Sequence, residues 1–153
     1  MPCSCGLPPP SSCKEMFDTI LVREFSDFRY GRVHRLTVDT YSLQHPDPYM
    51  ISAKSFAAHL TGMCCFMEYG NDRDLLRLLR QWLDGKKQLD KPELLDHVGD
   101  LTIVHIIDAK DAAAHIRLVQ EWAAAVWKAY AVYHYLAKEW IGRAKQVCTG
   151  KKN

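Results

Sequence analysis

Three cysteines, Cys3, Cys5 and Cys13, fall within eleven residues near the start of the chain. Clustered thiolates are the donors that zinc prefers, and a structural zinc site needs four nitrogen or sulfur ligands in a tetrahedron. One histidine would complete a Cys3His set, with His45 and His34 as candidates for it; the set Cys3, Cys5, Cys13 and His45 is the primary expectation. The spacing Cys3-Ser4-Cys5 is C-x-C, where ribbons and fingers favour C-x₂-C, although a C-x-C pair also chelates. The opening Met1-Pro-Cys-Ser-Cys-Gly6 lacks a charged segment followed by an apolar one, so no secretory signal is visible. A cytoplasmic location is therefore expected, where thiols stay reduced and act as ligands, nucleophiles or packing residues. Cys64 and Cys65 lie within an expected helix and are read as packing residues.

The seven histidines are the second source of chemistry. Helical arithmetic excludes some pairings. His34 and His45 are eleven residues apart, about 16 Å along a continuous helix, and cannot share one ion there. His115 and His134, nineteen apart, would be separated by about 28 Å. The stretch His105-Ile-Ile-Asp108-Ala-Lys-Asp111-Ala-Ala-Ala-His115 is more suggestive. If helical, its four polar residues share an arc of about 120°, because steps of three and four stay on one face. His105 with Asp108, or Asp111 with His115, could then chelate an ion, or a carboxylate could orient a histidine as general base. The plainer reading is that the two aspartates favour a helix N-terminus, with Asp111 as N-cap. His59 falls among Phe56, Leu60 and Met63, where a histidine is usually a core residue with one hydrogen-bond partner. A pocket or second metal site drawing on His59, Asp111 and His115 is a further expectation.

No Gly-rich phosphate loop, Gly-x-Ser-x-Gly elbow, His-Glu-x-x-His or Glu-x-x-His motif is present. A metal-dependent hydrolase or oxygenase thus has no demonstrable catalytic pairing. The 153 residues suit one domain, and 48% apolar with 25% charged residues is ordinary for a globular chain. A net charge of +2 with dispersed basic residues argues against a nucleic-acid partner. No run of about 18 apolar residues exists to cross a membrane.

The elements that would hold these groups follow from periodicity. Residues 1–12 form a Cys/Pro-rich arm, with Pro8-Pro9-Pro10 extended. Ser12-Cys13-Lys14-Glu15 reads as a capping box opening a helix that runs to about Ser26. Val33 to Gln44 reads as a short helix, with a strand left open by its β-branched residues, and His45-Pro-Asp-Pro48 as a turn. Ser52–Tyr69 and Arg73–Leu83 carry clear apolar stripes, Phe56/Leu60/Met63/Met67 and Leu75/Leu76/Leu79/Leu83. Residues 86–100 read as a loop. Thr102 caps a short helix, and one long helix runs from Asp111 to about Val147. The expected architecture is all-α: a single-domain bundle of five or six helices over residues 13–147, with one long C-terminal helix and a polar tail at 148–153.

The segment Val33-His-Arg-Leu-Thr-Val-Asp-Thr-Tyr-Ser-Leu-Gln-His-Pro46 resembles the signature of a family of uncharacterised bacterial proteins. That family has a Cys-x-x-Cys-Gly start, a Ser-Cys before the first helix and a V-D-T-Y-x-x-Q-H-P segment, then a histidine-bearing helix and a Trp-rich C-terminal helix. Cys5-Gly6, Ser12-Cys13, Phe56-Ala-Ala-His-Leu60 and Trp122-Ala-Ala-Ala-Val-Trp127 match these parts, while Cys3 lies one position away from the family's first cysteine. The resemblance implies a fold and no activity. Together with the cysteines it favours an arm folded back on His45 and pinned by zinc, with Asp39, Tyr41 and Gln44 around it as supporting shell or pocket lining. The alternative is a metal-free protein-interaction or small-molecule-binding module, whose groove would come from Trp122, Trp127, Tyr130, Tyr133 and Trp140. Core packing is the simpler explanation of that stripe.

Overall fold

A computed structural model describes residues 10–150, which are helical throughout except for connecting loops. Cys3 and Cys5, and with them two of the four expected zinc ligands, lie outside the described residues. Helix α1 spans Pro10–Ser26. It starts three residues before Cys13, with Pro10 in the first position, where its missing N–H is no loss. Ser12 and Glu15 are therefore inside the helix and do not form its capping box. A single turn, α2 (Phe28–Gly31), is capped by Asp27, whose side chain accepts from the Arg29 amide. Helix α3 (His34–Gln44) settles the helix-or-strand choice, and a turn of helix, α4 (Pro46–Tyr49), follows directly.

Helices α5 (Ala53–Glu68) and α6 (Arg73–Asp84) run close to their expected bounds. Ser52 caps the first through the Ser55 amide, and Asp72 caps the second through the amides of Asp74 and Leu75. Between them, Gly70 and Asn71 both take positive φ, the left-handed conformation that ends a helix, and the Asn71 amide reaches back to the Cys65 carbonyl. A loop leads to α7 (Val104–Ile107) and then α8 (Ala112–Ala129).

The expected single C-terminal helix is two. A 3₁₀ turn at Ala131–Tyr133 separates α8 from α9 (His134–Gly150). The His134 ring stacks on Trp127 at 3.7 Å, and its Nε2 donates to the Trp127 carbonyl at 2.7 Å, which satisfies one of the acceptors the break frees. The bundle thus has more helical segments than five or six, several of them single turns.

Helix α3 sits at the centre, packed against α1, α5 and α8. Eight of its eleven residues are buried, Thr37, Asp39, Thr40, Ser42 and Gln44 among them. A helix covered on most sides has to satisfy most of its polar side chains within the protein. Gln44 donates to the carbonyls of Val98 and Leu101 and accepts from Trp122 Nε1 at 2.9 Å, tying the long loop and α8 to α3. The Tyr130 hydroxyl donates to the Leu43 carbonyl. Trp122, Trp127, Tyr130 and Trp140 are all buried, so the aromatic stripe belongs to the core.

Candidate functional site

Helix α1 buries Cys13, Phe17, Ile20 and Glu24, which repeat at alternating steps of three and four along one face. The fourth position of this stripe carries a carboxylate instead of an apolar side chain. Glu24 Oε1 accepts from His34 Nδ1 at 3.0 Å, and Oε2 accepts from His115 Nε2 at 2.8 Å and from the Thr37 hydroxyl at 2.6 Å. The Glu24 and His115 side chains are fully buried, and His34 is about one-third exposed. With its proton on Nε2, His115 has only a lone pair at Nδ1, which is buried and has no partner among the described residues. The two imidazoles approach different oxygens of one carboxylate. The arrangement is therefore a relay from α8 through α1 to α3, not a convergent chelate.

A second carboxylate–histidine pair lies one turn further along α3. Asp39 Oδ1 accepts from His59 Nδ1 of α5 at 2.9 Å, while Arg35 Nε stands 3.7 Å from Oδ2. Burial raises the Asp39 carboxyl above the usual carboxylate range, and the hydrogen bond and charge of His59, with the charge of Arg35, pull the other way. Space for this carboxylate depends on Gly62, because a Cβ there would stand 2.5 Å from Asp39 Oδ2. The missing side chain lets α5 approach α3 closely enough for His59 to reach Asp39.

The two pairs share an open cleft of about 340 Å³ lined by His34, Arg35, Val38, Asp39, Ala58 and His59. Each histidine donates its Nδ1–H to a buried carboxylate. That fixes the ring and the tautomer and leaves Nε2 as a lone pair with no partner among the described residues.

The other end of the α1–α3 pair is built differently. Contacts run from Glu24 with His34 and Thr37 to Phe17 stacked on Tyr41 at 3.8 Å, so the two helices are antiparallel. One turn further along the sequence in each direction come Cys13 on α1 and His45 after α3. Both are buried. His45 stacks on Tyr41 at 3.9 Å and donates from Nδ1 to the Tyr41 carbonyl at 2.7 Å. Its Nε2 is buried and has no partner among the described residues. Burial lowers the His45 pKa below the usual value, with the Tyr41 carbonyl opposing, which favours a neutral ring.

The remaining candidates separate. The arc expected from His105 to His115 requires one helix, but α7 ends at Ile107 and α8 begins at Ala112. His105 Nδ1 meets the backbone of Thr102, Asp108 is an exposed C-terminal cap, and Asp111 caps α8 through the Ala114 amide. His115 turns inward to Glu24 and does not line the cleft with His59. Of the residues expected around His45, Tyr41 does support it, whereas Asp39 holds His59 and Gln44 holds Trp122 and the loop. Burial pushes the Cys64 thiol up to about 12, fitting a packing role. Among the described residues no group of three or more His, Cys, Asp or Glu side chains is arranged to hold a metal ion. Sequence reading missed Glu24, Arg35 and Thr37. The available signal for Glu24 was a charge at a core position of the α1 stripe.

No curated protein and no solved structure matches the chain. At the level of families, residues 1–131 match the Family of unknown function (DUF5946), a stretch that holds both carboxylate–histidine pairs and His45. On that coverage the chain belongs to this family of unknown function.

Proposed function

We propose that this is a small helical metal-binding protein in which a structural zinc, held by Cys3, Cys5, Cys13 and His45, ties the N-terminal arm to the bundle. The observation that carries the reading is the His45 ring. Its Nδ1–H is committed to the Tyr41 carbonyl, and its Nε2 lone pair is buried without a protein partner among the described residues. That is the state in which a histidine ligates a metal, with the far nitrogen fixed by a backbone acceptor. A buried acceptor with nothing to bind is otherwise a cost. Further support comes from Cys13, which is buried one turn before the Phe17 that stacks on Tyr41 and follows Cys3 and Cys5 closely in sequence. Zinc there would act on folding, since structural sites contribute their binding energy to the folded state.

Elemental analysis of the full-length, untagged protein tests this directly. One zinc per chain is expected, retained through gel filtration and lost in the Cys3→Ser/Cys5→Ser variant. Its loss should lower the thermal midpoint while circular dichroism at low temperature stays helical. The double variant spares the buried Cys13, so metal loss is not confounded by a core substitution. A native protein without metal, or a variant that keeps its zinc, would overturn the reading.

A further inference from the structure

We infer that the α3–α5 cleft is a binding site for a small hydroxylated oxyanion, with Arg35 taking the anionic end and His34 and His59 accepting hydrogen bonds from its hydroxyls. The cleft stands apart from the zinc reading, because it shares no residue with the proposed ligand set. Two features of its walls point to this chemistry. First, both histidines present Nε2 as a lone pair, since each Nδ1–H is held by a buried carboxylate, Glu24 for His34 and Asp39 for His59. A lone pair backed in this way accepts a hydrogen bond from a hydroxyl, with the ring already oriented for it. Secondly, Arg35 lines the same cleft with its side chain half exposed and only a long 3.7 Å approach to Asp39. A guanidinium so placed keeps donors for a carboxylate or a phosphate.

The same cation argues against the cleft as a metal centre. Two imidazoles with carboxylate support would suit a divalent ion, but a fixed positive charge on the wall opposes one. The relay adds a further element. Glu24, which orients His34, also binds His115, whose second nitrogen is buried without a partner among the described residues. The carboxylate that orients His34 is therefore itself anchored on α8, which holds the ring in place before a ligand arrives.

Imidazole carbon–proton spectra of the full-length protein test the assignment. The probes are glycerate and glycerol 3-phosphate, with acetate and dimethyl phosphate as anions that carry no hydroxyl. Saturable shifts of the His34 and His59 resonances are expected with the first two, and shifts at least tenfold weaker in concentration dependence with the second two. The stronger of glycerate and glycerol 3-phosphate tells whether the anionic end is carboxylate or phosphate. His97, mostly exposed and outside this cleft, is the internal control and should not follow. Arg35→Met, a change at a half-exposed side chain, should weaken the response by about tenfold or more. Absence of saturable shifts, equal movement of His97, or an unaltered response in Arg35→Met would overturn the proposal. So would stoichiometric broadening of His34 and His59 by Co²⁺, which would make the cleft a metal centre.

Discussion

Replacing Glu24 by glutamine keeps the shape of the side chain and changes only what its two terminal atoms do. In the native protein those atoms accept three hydrogen bonds, from His34, Thr37 and His115. Glutamine offers one oxygen and one NH₂. The better orientation leaves the oxygen facing Thr37 and His115, because the fully buried His115 would otherwise have neither ring nitrogen paired among the described residues. The NH₂ then faces His34 Nδ1, which can accept only if its proton moves to Nε2, at the cleft. A hydrogen bond to a charged group contributes ~1.5–3 kcal/mol and a neutral one ~0.5–1.5, so three weakened bonds, less the carboxylate desolvation that a neutral side chain avoids, cost about 2–3 kcal/mol together. Glu24→Ala should cost more, about 3–5 kcal/mol, since it leaves a cavity and a buried His115 with neither nitrogen paired. Against a total stability of ~5–15 kcal/mol, both are large effects.

Urea denaturation at neutral pH measures the loss, and imidazole nitrogen shifts report the tautomer. The expected result is destabilisation in that order, with His34 changing from the Nδ1–H to the Nε2–H form in Glu24→Gln while His115 keeps its proton on Nε2. A Glu24→Gln protein within about 0.5 kcal/mol of the native one, the range of ordinary surface changes, would refute the reasoning. So would a His34 tautomer that does not move. Either would mean that Glu24 does not organise the two rings.

Two further changes probe the neighbouring pair. Gly62→Ala places a Cβ 2.5 Å from Asp39 Oδ2, so a loss of about 1–3 kcal/mol is expected; helix propensity alone would stabilise by about 1 kcal/mol, so a stabilised variant would refute the close approach. Asp39→Asn tests the pH behaviour. A raised carboxyl pKa in the folded state means that the native protein holds this proton more tightly than the unfolded chain does, so the contribution is full below 3.8 and is lost as pH rises through the folded value. The stability of Asp39→Asn relative to wild type should therefore climb as pH rises above 3.8, read from urea midpoints at several pH values. A difference that falls instead would show that His59 and Arg35 outweigh burial.

Helices α5 and α6 were legible because stripe and caps agree. Ser52, Asp72 and the Gly70-Asn71 stop punctuate the apolar pattern at the observed ends. The break between α8 and α9 was not legible, since no Gly or Pro interrupts the sequence and apolar residues continue across it. It is a tertiary event in which His134 folds onto Trp127. Helix α3 was ambiguous for a related reason. Buried on most sides by three neighbours, it has little contrast between faces, so periodicity says little and β-branched residues mislead. The cluster from His105 to His115 failed because it assumed a continuous helix where Asp111 instead caps a new one.

The least legible feature is also the one on which the proposed cleft rests. Along α1, Cys13, Phe17 and Ile20 fill core positions with side chains that need no partners, and an apolar residue at position 24 would have completed the stripe. Glu24 stands there instead, and α3 likewise buries Asp39 two residues from Tyr41. Burying a carboxylate is costly even when it is well paired, and an apolar replacement of equal volume is often as stable. Packing alone therefore gives no reason for either carboxylate. Each one holds the Nδ1–H of a different histidine, from α3 in one case and α5 in the other, and both of those histidines line the same cleft. Two separate departures from core chemistry that converge on one opening are what a site built for a ligand requires, since local rules are broken where function constrains the residue.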